Sequence, residues 1–323
     1  MTATSPVAVY ETAAAVPRRR RPRRWRERGA VVVYLSPWII GFVIFTLAPM
    51  AASLYWSFTK YQLPKPPVWI GTLNYRFMFT KDPFFWKSVW NTVWIICVGL
   101  PVRIFFGIVT ALLLTRKRRG VNGYRTMYFL PTMAPVVAAT LAFAYLLNPD
   151  YGPINVVLRK FGVEHPPLWF YSPAWSKPAL VLLGLWGVGD AMIIFLAGFL
   201  DVPKHLYEAA DIEGASGWKK FLHVSLPMVS PVIFFEVVTG IIFGFQYFTQ
   251  AYVASFNTGA AAGDPENSLL FYSVHLYTQG FVNFKMGYAS AMAWVLLVIS
   301  LLCTVAIIRG SKRWVFYQGG FLR

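Results

Sequence analysis

Six apolar runs constrain this chain more than any other feature: Val31 to Phe58, Val89 to Leu114, Met127 to Leu147, Ala179 to Leu200, Val229 to Ala254 and Met286 to Ile308. A bilayer core of about 30 Å takes about 20 residues of helix, so each run is long enough to cross one. Several contain Pro37, Pro49, Pro101, Pro135, Gly240 or Gly244. Proline and glycine are tolerated in membrane helices when neighbouring groups satisfy the freed backbone. Composition agrees: 57% of residues are hydrophobic and 13% charged. Soluble domains run nearer about 45–50% apolar and about 25% charged. The expected fold class is therefore all-α, a polytopic membrane protein with six transmembrane helices.

The net charge of +17 would point to nucleic acid in a soluble chain. Here its location decides, because the basic residues sit outside the apolar runs. Arg18, Arg19, Arg20, Arg21, Arg23, Arg24, Arg26 and Arg28 precede the first run. "TRKRRGVNGYR" lies between the second and third. Lys204, Lys219 and Lys220 lie between the fourth and fifth, and Arg309, Lys312, Arg313 and Arg323 follow the sixth. With six spans these four segments share one side, and they hold most of the basic residues. Basic loops stay cytoplasmic, so both termini are expected there. The opposite segments are aromatic ("YQLPKPPVWIGTLNYRFMFTKDPFFW", "HPPLWFYSPAW"), as interfacial segments are. The arm "RRRRPRRWRER" reads as a positive-inside anchor rather than a nucleic-acid arm or a twin-arginine signal. The apolar run after it is too long for a signal-peptide core, and no small-residue cleavage site follows. The expected organisation is a basic arm over 1–30, disordered before Pro17, a membrane domain over 31–308 and a short cytoplasmic tail over 309–323.

No catalytic constellation is visible. "GASGWKKF" has glycine and lysine at the wrong spacing for a phosphate-binding loop. "GVGDAM" at Gly187 lacks the third glycine of a dinucleotide loop and falls inside an apolar run. His165, His205, His223 and His275 are scattered, and no G-x-S-x-G occurs. Cys97 and Cys303 both lie in apolar runs and read as small buried hydrophobes, not as a disulfide or zinc framework. Neither a metal nor a cofactor nor an enzyme activity is expected of this chain.

One polar stretch between the fourth and fifth runs stands out: "LYEAADIEGASGWKKFLHVSLP", Leu206 to Pro227. Asp201 and Pro203 mark a helix start. Lys204 to Glu213 are good helix formers, and Gly214 allows a left-handed stop. Ser216 can cap a second short helix carrying Trp218, Phe221 and Leu222. Pro227 is read as the start of the next membrane helix. Ala209 and Ala210 expose little side chain, so another backbone can come close, and Glu208 sits beside them as a lone charge. That combination suits docking into a partner's groove. An interfacial amphipathic helix is the plainer reading. A DNA-binding helix-turn-helix is disfavoured, because both ends are tied to membrane spans.

"EAADIEGASGWKKFLHVSLPMVSP" resembles the EAA loop of binding-protein-dependent ABC importer permeases. The motif glycine is Gly214 and the motif proline Pro227. The acid before the glycine is usually aspartate, and here it is Glu213. "PWIIGFVIFTLAPMAASLYWSF", "WIGTLNYRFMF", "FFWKSVWNT" and "MGYASAMAWVLL" look like the sugar-uptake branch, the maltose- and glycerol-phosphate-type permeases. The resemblance implies an ABC type I importer permease-like fold in the bacterial cytoplasmic (inner) membrane. It implies that the loop, over 202–226, carries a coupling helix docked on an ATP-binding subunit, with Glu208, Ala209, Ala210, Glu213, Gly214 and Pro227 as its coupling residues. It also implies a second related permease, two ATP-binding subunits that hold ATP and Mg, and an extracytoplasmic solute-binding protein. Transport would be alternating access between the two permeases, for a carbohydrate cargo. No nucleic acid partner is implied.

Ionisable groups inside apolar spans are costly and usually face a cavity or bundle interior. Three occur: Arg103, Asp190 and Glu236. Glu236, Gly240, Phe243, Tyr247 and Gln250 recur at +4, +3, +4 and +3, which predicts one face of the fifth helix. Trp186 and Asp190 share a face at +4. Amide, carboxylate and phenol groups beside aromatic rings suit a polyhydroxylated ligand, so Asp190, Glu236, Tyr247 and Gln250 are the candidate pathway residues. The plainer reading is that they join helices by hydrogen bonds. Arg103 is expected to pair with an acid or to snorkel. A proton-coupled secondary carrier using Asp190 or Glu236 is the competing function class. It would be expected to show inverted repeats, and none is visible.

Overall fold

A computed structural model describes residues 24–116, 119–257 and 261–316. The disorder expected before Pro17 lies outside the described residues, as does the tail beyond 316. The chain divides into two compact units, residues 1–52 and 53–323. In the first, helix begins at Arg24, so Arg24 to Ala30, assigned above to the arm, are already helical. The same helix continues as the first span, α1 (Val31–Ser57), and none of its apolar window is buried within the chain. Such a surface is stable only against lipid or a partner.

In the second unit a two-stranded hairpin, β1 (Thr59–Lys60) and β2 (Val68–Trp69), pairs Thr59 with Trp69 and Lys60 with Val68. α2 (Leu73–Thr80) leads to the second span, α3 (Phe85–Thr115). The third run is a bent pair, α4 (Val121–Met133) and α5 (Val136–Leu146), meeting at 97°. Pro131 and Pro135 remove backbone donors there, and Pro135 takes extended geometry (ψ 131°) before α5. α6 (Pro153–Lys160) is a short outer helix. The fourth run is a second bent pair, α7 (Ser176–Trp186) and α8 (Gly189–Leu200), at 51° across Gly187 and Val188. α9 (Lys204–Ile212) precedes the fifth span, α10 (Gly217–Phe245). α11 (Thr249–Asn257) and α12 (Tyr272–Tyr277) are short, and α13 (Met286–Ser311) is the sixth span. Four helices are long enough to cross a bilayer singly, and counting each bent pair as one span gives six.

Prolines shape three spans in the same way. π turns cover Val43–Leu47, Ile95–Gly99 and Phe221–Ser225, and Pro49, Pro101 and Pro227 each follow two residues later. A proline has no N–H and crowds the carbonyl four residues back. Widening the preceding turn lets the residue before proline reach one residue further: the Ala48, Leu100 and Leu226 N–H groups donate to Val43, Ile95 and Phe221. The helix bends without ending. Pro227 therefore lies inside α10 and does not start it. The expected second short helix of the loop is the first part of that span.

The fifth run also ends early. α10 stops at Phe245, whose carbonyl accepts from Ser273 Oγ at 3.0 Å. The chain turns at Gln246, and α11 is a separate helix. The periodic face predicted from Glu236 to Gln250 is thus broken after Phe243. Ring packing overrides local periodicity here, because Tyr247 turns onto Phe271 with centroids 5.2 Å apart.

Two cores bracket the membrane domain. Ala111, Leu114, Phe195, Phe199 and Val229 pack α3, α8 and α10 together toward the cytoplasmic ends. Phe143, Leu147, Phe170, Leu180, Leu269 and Phe271 pack at the outer ends. There the buried segment before α12 is clamped by Asn91, whose Nδ2 donates to the Asn267 and Leu270 carbonyls at 2.8 and 2.9 Å. Ser176 and Ser268 hydroxyls bond at 2.7 Å across the same packing.

Candidate functional site

The cytoplasmic loop is held by its own short-range bonds. Asp201 closes the end of α8, and Pro203, extended at ψ 131°, precedes α9. At the other end Gly214 has φ +70°. Its N–H donates to Asp211, and the Ala215 N–H donates to Ala210 at 2.9 Å. That pair of bonds is the Schellman arrangement, which closes a helix through a left-handed residue. Ser216 Oγ then accepts from the Lys219 N–H at 3.4 Å at the start of α10. Lys220 pairs with Asp211 across the turn, and the Tyr207 and Ser225 hydroxyls bond at 2.9 Å.

The frame presents one outward surface. Glu208, Ala209, Glu213 and Gly214 are exposed and Ala210 half-buried. Ile212 is 89% and Trp218 68% exposed. A nearly bare isoleucine on a polar loop costs solvation unless something covers it. Five of the six coupling residues expected from the sequence share this surface region. Pro227 does not; it belongs to the bend inside α10.

The second candidate feature is a cavity of about 520 Å³ among α3, α5, α7, α8, α10 and α11. Breaks in helices build it. Trp186 ends α7 and Asp190 starts α8, so the +4 spacing that predicted a shared helix face spans a break, yet both residues line the cavity. Tyr247 and Gln250 also reach it, from beyond the end of α10. Gln246, Phe248 and Thr249 join them, and the sequence reading did not single these out. Gly187 and Pro135, which interrupt apolar runs, were the available signal, since discontinuous membrane helices commonly frame binding sites.

Arg103 on α3 binds Asp190 with Nη2 and Oδ2 2.5 Å apart, so it pairs with an acid. Arg103 and Asp190 line the cavity, while Glu236 is buried behind it and does not. Gly189, next to Asp190, packs on the backbone of α4. A Cβ there would lie 2.8 Å from the Tyr128 carbonyl carbon and 2.9 Å from Phe129 Cα. Only glycine permits that approach.

A third cluster, missed in the sequence, lies at the outer ends. His275 Nε2 lies 2.8 Å from Asp82 Oδ2, the Tyr288 hydroxyl donates to the same oxygen, and the Phe84 N–H donates to Oδ1 at 2.9 Å. Burial raises the pKa of the Asp82 carboxyl. Hydrogen bonds from His275, Tyr288 and the Phe84 amide outweigh that and bring it to about 2. The residues are too far apart in sequence for any spacing rule to link them.

Known proteins give a consistent comparison. Residues 103–313 match the family model described as "Binding-protein-dependent transport system inner membrane component". The probable ABC transporter permease protein YesP of Bacillus subtilis (strain 168) is 39% identical over 294 residues, 91% of this chain and 94% of that protein. The sulfoquinovosyl glycerol transport system permease protein SmoG of Agrobacterium fabrum is 33% identical over 306 residues, 92% and 97% of the two chains. Among solved structures, a bacterial alginate ABC transporter in complex with an alginate pentasaccharide-bound periplasmic protein aligns at a TM-score of 0.77. It covers 90% of this chain and 98% of that one at 22% identity, a likeness of fold.

Proposed function

The chain belongs to the binding-protein-dependent transport system inner membrane components, and from that premise we propose that its cargo is a sugar or a related polyol or oligosaccharide. It is a multi-pass inner-membrane permease of the ABC importer type and is not itself an enzyme. ATP binding belongs to partner subunits. The importer works with a solute-binding protein. Our reading adds a second related permease as a heterodimeric partner, two ATP-binding subunits that also hold Mg, and a pathway at the interface between the permeases. It also assigns the domain plan: a cytoplasmic basic arm, the six-span domain with its loop, and a cytoplasmic tail.

The observation that carries the reading is the pairing of two surfaces in one chain. The cavity presents Gln246, Gln250, Thr249 and Tyr247 beside Trp186 and Phe248, donors and acceptors next to ring faces, as a sugar requires. The loop presents Glu208, Ala209, Ala210, Glu213 and Gly214 with Ile212 outward, an apolar point beside a charge, as a docking helix requires. Both ends of the loop run directly into spans, since α8 leads into α9 and α10 starts at Gly217. A push on the loop by an ATP-driven partner is therefore delivered to the helices that line the cavity. The proton-coupled alternative is set aside: the family consists of binding-protein-dependent components, and Asp190 is held by Arg103.

The test is uptake by the complete importer in proteoliposomes with its binding protein. Sugar uptake should require ATP and persist when an uncoupler is added. Uptake that ignores ATP and collapses with the uncoupler would overturn the reading.

A further inference from the structure

We propose that five aromatic rings, Phe248, Tyr252, Phe256, Tyr277 and Phe281, form a stacking track that passes sugar rings between the outer mouth and the cavity. The proposal rests on the sugar reading above. The rings come from two separate segments. Phe248, Tyr252 and Phe256 repeat at +4 along α11 and the residue before it, which places them on one helix face. Tyr277 ends α12, and Phe281 follows at +4 in the π turn Thr278–Val282.

The two stripes meet ring to ring. Phe248 stacks on Tyr252 at 5.0 Å and touches Tyr277 at 5.1 Å. Tyr252 touches Phe256 at 4.7 Å and Tyr277 at 5.2 Å, and Tyr277 stacks on Phe281 at 5.2 Å. The chain of contacts begins on the cavity wall, which Phe248 lines. It ends on Phe256 and Phe281, which are 51% and 57% exposed. A stripe serving only as core would end covered. A belt set by the membrane interface would stay at one depth, whereas this one leads out of a polar cavity.

The occupant follows from chemistry and continuity. A sugar ring has C–H faces that lie against aromatic faces and a rim of hydroxyls that needs partners. Tyr252 and Tyr277 supply rings with hydroxyl tips in the middle of the track. No basic or acidic residue interrupts either stripe, so each step resembles the last. A row of similar, modest sites binds firmly enough to admit a ligand and weakly enough to release it, the condition for passage.

The experiment uses the complete importer in proteoliposomes with its binding protein. The probes are radiolabelled mono-, di- and tetrasaccharides of glucose, of arabinose and of a uronic acid. Tyr252→Leu/Tyr277→Leu and Phe281→Leu remove the rings and keep apolar bulk, and Tyr252→Trp keeps a ring. The double variant should lose about tenfold in kcat/KM for the tetrasaccharide that the wild type takes up. The loss should be smaller for the monosaccharide, Tyr252→Trp should keep near wild-type uptake, and subunit ratios should not change. Unaltered tetrasaccharide uptake in the leucine variants overturns the track and leaves the sugar reading standing. Equal loss at every chain length with loss of subunits means the rings pack against a partner, and also overturns it. Failure of the wild type to take up any sugar in the panel removes the sugar reading and the track together.

Discussion

The cytoplasmic loop and the membrane cavity are built by opposite means. The loop is local: the Gly214 turn, the Ser216 cap and the Lys220–Asp211 pair all join residues within nine positions of each other. The cavity is assembled across distance, with Arg103 reaching Asp190 from 87 positions away and with Tyr247 and Gln250 arriving after a break in the chain. The loop turns apolar side chains outward, and the cavity keeps amides and an ion pair within an apolar domain. A surface built this way can be altered without harm to the fold, whereas a cavity wall cannot. Mutations can break or sharpen that contrast.

The largest effect should come from the loop, and on coupling alone. A Cβ at Gly214 meets nothing within 4 Å, so only the backbone resists substitution, at about 1 kcal/mol. Gly214→Asp and Glu208→Lys should therefore leave insertion intact. Stimulation of the ATPase by loaded binding protein should fall about thirtyfold or more, as loss of an interface hot spot does. Gly214→Asn should do less harm, because asparagine tolerates the left-handed region. ATPase activity in proteoliposomes, measured beside subunit ratios, reads the result. Wild-type stimulation in both charged variants would make the loop a plain surface helix.

Gly189 is the counterpart inside the domain. Its missing side chain is filled by the backbone of Tyr128 and Phe129, which cannot swing aside. Gly189→Ala should cost about 3 kcal/mol through overpacking, seen as a lower unfolding temperature in detergent, while Gly214→Ala should shift it far less. Equal shifts at the two glycines would erase the distinction between open loop and closed wall.

How far each region could be read from the sequence follows the same division. The loop helix, its left-handed glycine and the Ser216 cap were legible because each depends on neighbours a few residues away. The spans were legible from length and apolarity. Their interruptions were not, although Pro135 and Gly187 are visible in the sequence. Whether a proline bends a helix or breaks it depends on who satisfies the freed carbonyls, and Pro101 and Pro135 resolve that question differently. The Glu236-to-Gln250 face failed for a related reason. Helical spacing assumes a continuous helix, and the Tyr247–Phe271 contact ended it. Asp82, His275 and Tyr288 had no local pattern, so only the fold could bring them together.

That outer cluster gives a third, intermediate effect. The folded Asp82 carboxyl titrates at about 2, below its ordinary 3.8. A depressed carboxyl adds stability that is complete above the unfolded value and lost as pH falls through the folded one. The difference is worth about 2 kcal/mol. Unfolding temperature should therefore drop as pH is lowered from about 4 toward 2. Asp82→Asn should lower it at neutral pH and remove that part of the acid limb. Asp211→Asn in the exposed loop pair should change it by less than about 0.5 kcal/mol. An acid limb unchanged in Asp82→Asn would assign the acid sensitivity to other carboxylates.

The smallest effect belongs to the cavity amide, and it separates lining from packing. Gln250 is half-buried on the wall, with no bulk that the core needs, whereas Glu236 is buried behind it. If the wall meets cargo through Gln250, Gln250→Ala removes one neutral hydrogen bond, worth about 1 kcal/mol or about fivefold in uptake. Tyr247→Ala should weaken uptake as well, with added cost from the lost Phe271 contact. Glu236→Ala acts at a buried acid near Arg103 and Asp190 and should lower thermal stability along with uptake. In Gln250→Ala the unfolding temperature and the assembly of subunits should match wild type, so a fall in kcat/KM there can only report the pathway. Normal uptake in Gln250→Ala and Tyr247→Ala together would return this wall to helix packing. The cargo route would then have to lie on the partner permease's side of the interface.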